Sequence, residues 1–188
     1  LRKKILLLTV PAVLALVACF SFLLLRNLIE SNLRRSRQLA EFAVQQTKAV
    51  LLLRLDDAAR QGAAGREKWI SAIAADQQLR QVLVNSVAPG PPLVEVSIAD
   101  GDGRILLSST QSTEGSKMRA HPPFDELLTL DTLGRFNRLN AAGQIYEQQI
   151  PIGVLNDPRP IFKIQVLAST AVVKAQIADG LQSIAVAT

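Results

Sequence analysis

The sequence predicts an α+β protein whose first helix crosses a membrane and continues into a domain built on a mostly antiparallel sheet. Three observations predict it. Residues 5–25 are 21 consecutive residues without a charge. Residues 27–60 contain no Gly or Pro and are rich in Leu, Ala, Gln, Arg and Glu, which are good helix formers. Beyond residue 93 the apolar period changes from helical to alternating, in short runs separated by turn residues.

The apolar run comes first. A helix of its length measures roughly 32 Å, close to the thickness of a bilayer's hydrocarbon core. Pro11 falls within it, which a helix in lipid tolerates. A cleaved signal peptide has a shorter apolar centre. Leu16-Val17-Ala18-Cys19 resembles a lipobox, but Phe20 to Leu25 remain apolar where lipoproteins turn polar. A retained membrane helix is the favoured reading, with Cys19 a buried thiol. Arg2, Lys3 and Lys4 abut the run on one side; on the other Arg26 abuts it and pulls the opposite way, whereas Arg34, Arg35 and Arg37 lie eight or more residues beyond its end. The N-terminus is therefore expected in the cytoplasm and residues 27–180 outside it.

The long helix has apolar residues at Leu28, Leu39, Phe42, Ala49 and Leu53, a weak heptad. It either packs on its own domain or forms a parallel homodimer seam. Gln61 to Gly65 breaks it, and a second amphipathic helix is expected from Glu67 to Val87, with Trp69 as an anchor. Val94, Val96 and Ile98 alternate with polar or small residues and open a strand. Asp100-Gly101-Asp102-Gly103 is a hairpin turn, and Arg104 to Ser109 is the return strand. A polar loop over 112–123 leads to a short helix, Phe124 to Leu130. Further strands are expected at 134–139, 144–152 and 161–167, the last following an Asn156-Asp157-Pro158 turn, for five in all. An exit helix over 171–188 leads towards a second membrane crossing. The expected divisions are 1–26, the cytoplasmic tip and membrane helix; 27–65, the long juxtamembrane helix; 66–170, the sheet domain; and 171–188, the exit helix.

Composition excludes several classes of function. Residues 1–37 carry a net charge of +6 and residues 38–188 a net charge of −1. The basic excess lies beside the membrane, so nucleic acid is not an expected partner. One Cys and one His leave no disulfide framework and no multi-ligand metal site. Walker A, GxSxG, HExxH and GxGxxG motifs are missing, so no catalytic residue and no cofactor is expected here. The Asp100 turn fails as a calcium loop, because Arg104, Ile105 and Gln111 occupy the required fifth, sixth and twelfth positions.

Four stretches resemble the PAS-like, single Cache extracytoplasmic sensor region of bacterial transmembrane receptors. Asp76-Gln77-Gln78-Leu79-Arg80 resembles its "d-x-x-L-r" helix. Val96 to Ser109 resembles its first hairpin. Tyr146-Glu147-Gln148-Gln149-Ile150-Pro151-Ile152 resembles "y-e-v-x-x-P-i". Ile164 to Thr170 resembles its exit strand, without the usual glycine. The resemblance implies a signal-sensing input module in a bacterial inner membrane, most often part of a two-component sensor histidine kinase. The implied partner is a small molecule, such as a carboxylate, or a periplasmic protein, beside the lipid bilayer.

Arg119, His121, Arg138 and Tyr146 are the candidate ligand-binding residues. Arginine can grip a carboxylate through two parallel hydrogen bonds, and histidine titrates near neutrality. The resemblance places ligand between the sheet and residues 112–130. Two other functions fit the residues: a bitopic assembly protein of a pilus or secretion system, and a lipoprotein binding module anchored at Cys19.

Overall fold

The computed structural model describes residues 2–62, 65–87, 92–141, 143–153, 160–175 and 178. Helix α1 (Arg2–Arg60) is one continuous helix through the apolar run and the polar segment after it. It is the one helix among the described residues long and apolar enough to cross a membrane, with a window of mean hydropathy 2.2.

Beyond the run, α1 buries Ile29, Leu33, Ser36, Ala40, Ala43, Thr47 and Leu51. These recur every three or four residues and so share one face. The small residues in this stripe let the helix approach the sheet closely. The expected heptad stripe lies on another face: Phe42 and Leu53 are exposed. The helix thus packs on its own domain through residues outside the predicted seam.

Residues 67–87 form two helices, not one. Helix α2 (Arg66–Ala74) ends at Ala75, and α3 (Gln77–Ser86) starts at a cap. The Asp76 carboxylate accepts from the Gln78 and Leu79 amides, both at 2.9 Å. An acceptor so placed satisfies amide donors that a helix start leaves free.

The described residues form a four-stranded antiparallel sheet of order β2-β1-β4-β3. Its strands are β1 (Leu93–Asp100), β2 (Ile105–Ser108), β3 (Ile145–Ile152) and β4 (Phe162–Ser169). Asp100 organises the first hairpin, its carboxylate accepting from the Asp102 and Arg104 amides at 2.9 Å each. Gly103 takes a φ of 84° there, a conformation that favours glycine.

The strand expected at 134–139 is instead part of a helix. Helix α4 (Phe124–Thr129) is followed by α5 (Thr132–Asn140). Asp131 caps α5 through the Gly134 amide at 2.8 Å. A Cβ on Gly134 would lie 2.7 Å from that carboxylate, so glycine here makes room for the cap. Leu133, Phe136 and Leu139 are spaced by three, a helical interval that alternation does not explain.

One sheet face carries Val96, Ile98, Leu107, Ile164 and Val166 into a core with the inner stripe of α1 and with Ile73, Leu79 and Leu83. The 156–158 turn and most of the exit helix lie outside the described residues. Helical structure resumes at residues 170–175, where Val173 is buried.

Candidate functional site

The other sheet face is polar. Pairing sets Ser97 opposite Ser108 and Gln165, Gln149 opposite Gln165, and Glu147 opposite Leu167. Side chains alternate between faces along a strand, so Glu95, Ser97, Ser108, Glu147 and Gln165 share this side. Ser97, Ser108 and Gln165 are nonetheless buried. What buries them is residues 109–123, a strap laid over the face.

The strap is tied at both margins. Near the hairpin, the Met118 amide donates to the Gly103 carbonyl at 2.7 Å and the Ile105 amide to the Ser116 carbonyl at 2.9 Å. At β3, the Glu147 amide donates to the Pro122 carbonyl at 3.0 Å. In between, Gln165 Nε2 donates to the Arg119 carbonyl at 2.9 Å and to the Glu147 carboxylate. Glu147 Oε2 also accepts the His121 amide at 3.1 Å.

Glu114 fixes the start of the strap. Its carboxylate accepts from Arg80 Nε and Nη2, and from the Ser108 amide, each at 3.1 Å. The side chains of Arg80 and Glu114 are 17% and 22% exposed. All three specific residues of the Asp76–Arg80 stretch therefore have a place: Asp76 caps α3, Leu79 is buried, and Arg80 holds the strap.

Strap and sheet border a half-open cavity of about 720 Å³, lined on the sheet side by Glu95, Ile105, Gln165 and Leu167 and on the strap side by Lys117, Arg119 and His121 among others. That volume falls within the usual range of small-molecule sites. Glu95 Oε1 accepts from Ser108 Oγ and Thr113 Oγ1, both at 2.8 Å. The fully buried Ser97 Oγ has no hydrogen-bond partner among the described residues, an arrangement that costs about 1–3 kcal/mol. The cavity offers cations from the strap, one carboxylate from β1 and an amide from β4, groups able to orient a small polar molecule bearing a negative charge.

The four predicted residues separate into two pairs. Arg119 and His121 line this cavity. Arg138 and Tyr146 meet elsewhere, both donating to Gln144 Oε1, at 3.3 and 3.0 Å. Tyr146 lies in the apolar core, its ring edge-on to Phe124 with centroids 6.2 Å apart. Burial pushes its phenol above the ordinary value of 10.0, while the Arg138 charge pulls it down. Sequence reasoning missed Glu95, Lys117, Glu147 and Gln165. Their signal was present as polar residues at alternate strand positions, which read as a solvated face until a strap covers it. No family model and no curated protein matches the chain.

Proposed function

We propose that the chain is the extracytoplasmic signal-sensing input module of a bacterial inner-membrane receptor, with a PAS-like, single Cache fold. Modules of that type are most often joined to a histidine kinase. The observation that carries this reading is a cavity of mixed polar and apolar lining between one sheet face and the strap, with the opposite face packed on the helix that leads to the apolar span. In this arrangement the signal is a small anion such as a carboxylate, held by Lys117 and Arg119 and oriented by Gln165. The exposed Phe42, Ala49 and Leu53 of α1 supply the surface for a parallel homodimer, through which two such modules would move relative to each other.

The test is thermal unfolding of the full chain in lipid nanodiscs against a panel of mono-, di- and tricarboxylates. A ligand at 100 times its Kd stabilises by about 2.7 kcal/mol, which is readily seen. The expected result is stabilisation by at least one acid that is lost in Arg119→Ala with Lys117→Ala. Stabilisation retained in that double variant removes the assigned site. No response to any acid removes the carboxylate reading.

A further inference from the structure

Helix α5 shows a face that the sheet domain does not use. Thr132, Arg135 and Leu139 turn inward, and Leu139 joins the core. Leu133 and Phe136 turn outward, at 63% and 41% exposed. Two large apolar side chains one helical turn apart thus face away from the protein, beside the exposed Asn137 and Arg138.

The height of this helix is fixed by α1. Arg135 shares a cavity of about 550 Å³ with Glu30, Arg34 and Arg37 of α1, and Arg37 pairs with Asp125 of the preceding helix at 3.1 Å. The uncharged run ends at Leu25. Glu30 is five residues further along, about 7.5 Å at the helical rise. The headgroup layer on each side of a bilayer is roughly 5–8 Å thick. An α1 that crosses the membrane therefore sets α5 at the outer edge of the headgroup layer, its shared cavity running from Glu30 to Arg37, about 18 Å past Leu25 at the helical rise.

Charge at this level is mixed, with arginines in excess. Arg26, Arg34 and Arg35 of α1 are exposed, as is Arg138 of α5. Of the acids here, Glu30 is engaged by Arg34, Asp125 by Arg37, and Asp131 by the α5 cap, while Glu126 is exposed on α4. Apolar side chains beside arginines form the pattern of a helix lying in a membrane interface, where burial and attraction to anionic lipid act together.

We infer that α5 is a membrane-surface helix that binds anionic phospholipid headgroups. Leu133 and Phe136 enter the interface, and Arg138 and the α1 arginines meet the phosphates. The contact braces the sheet domain against the bilayer at a second point beside α1. This inference rests on the reading of α1 as a membrane span.

The test places an environment-sensitive fluorophore at Asn137→Cys in a Cys19→Ser background, in the full chain reconstituted into vesicles. Ala15→Cys reports the span and Gln61→Cys the far end of α1. With phosphatidylglycerol present, lipids spin-labelled near the headgroup quench position 137 and leave position 61 bright. Lipids labelled deep in the acyl chain quench position 15. Quenching at 137 falls at least threefold in L133S/F136S and in pure phosphatidylcholine. Position 137 as bright as position 61, with position 15 quenched, overturns the inference and leaves the span standing. An unquenched position 15 removes the span and the inference with it. Equal quenching in both lipids overturns the anionic preference. A signal that follows protein-to-lipid ratio and not lipid type assigns Leu133 and Phe136 to a second copy, and overturns the inference.

Discussion

Removing the Glu114 carboxylate should release the strap and leave the sheet intact. Three hydrogen bonds converge on it, two from the Arg80 guanidinium and one from the Ser108 amide, each at 3.1 Å. A solvated surface ion pair contributes about 0–1 kcal/mol, and breaking a fully buried one costs about 3–5 kcal/mol. With side chains 17% and 22% exposed, this pair falls between the limits, at a coupling of about 2 kcal/mol. Glu114→Ala loses that coupling and also leaves the Ser108 amide without its acceptor, for a total of about 3 kcal/mol. Arg80→Ala loses about 2 kcal/mol, and the double variant about 3 kcal/mol, because the shared interaction can be lost only once. The cycle is measured by denaturant unfolding of the full chain in micelles, read from Trp69, the single tryptophan. Native-state trypsin cleavage after Lys117 and Arg119, which lie on the strap, supplies a local readout. If the strap opens without global unfolding, about 2 kcal/mol of lost anchoring raises that cleavage roughly 30-fold. A coupling energy below about 0.5 kcal/mol, or cleavage unchanged in Glu114→Ala, refutes the anchoring role.

Three further expectations follow from named groups. Ser97→Ala removes a buried hydroxyl without a partner among the described residues and should be neutral or stabilise by up to about 1 kcal/mol; a loss greater than that in denaturant unfolding shows that the hydroxyl is satisfied. Asp76→Ala removes the α3 cap and the Arg54 contact at 3.3 Å, and should lower stability by about 1–2 kcal/mol; Asp76→Asn, which keeps an acceptor, should recover most of the cap. The Tyr146 phenol is raised above 10.0 by burial, so the unfolded chain ionises it first. Stability is then whole below about pH 10 and falls as pH rises from there through the folded value. Tyr146→Phe should lack this alkaline component, and equal alkaline slopes for the two proteins would show the phenol to be solvated.

The parts of the fold set by local period were legible in the sequence. The unbroken α1, the Asp100–Gly103 hairpin and strands β1, β3 and β4 all follow from spacing and turn chemistry that no tertiary contact overrides. The reading failed where a single side chain decides a boundary. Asp76 starts a new helix inside an amphipathic stretch whose apolar residues continue on both sides, so periodicity alone sees one element. Asp131 starts α5 in the same way, and Gly134, which argues against helix by propensity, is the residue that admits the cap. The inner stripe of α1 was also hidden, because between Leu33 and Leu51 it runs through Ser36, Ala40, Ala43 and Thr47, residues that no hydrophobicity pattern selects over Phe42 and Leu53. At the candidate site, Arg119 and His121 were accessible because they belong to the covering loop. Their partners Gln165 and Glu147 become interior only when that loop is laid across the sheet, a fact of tertiary structure.

Strand β4 explains how the proposed sensor would carry a signal. It occupies a central position in the sheet, between β1 and β3. Gln165 projects from it towards the strap, holding the Arg119 carbonyl and the Glu147 carboxylate. Ile164 and Val166, its immediate neighbours, project into the core shared with α1. At its end the Thr170 amide donates to the Gln144 carbonyl at 2.9 Å, and the chain turns helical. A molecule drawing on Gln165 competes with bonds that hold the strap, and any shift of that residue is felt on the opposite face one position away. A tenfold preference for one arrangement needs only about 1.4 kcal/mol, comparable to one or two hydrogen bonds of this kind. Gln165→Leu tests the coupling, because it deletes the polar contacts and keeps the bulk. Its expected signature is a strap that opens to trypsin while the Trp69 unfolding midpoint moves little. A midpoint that collapses together with strap protection would make Gln165 a core residue and leave β4 without a sensing role.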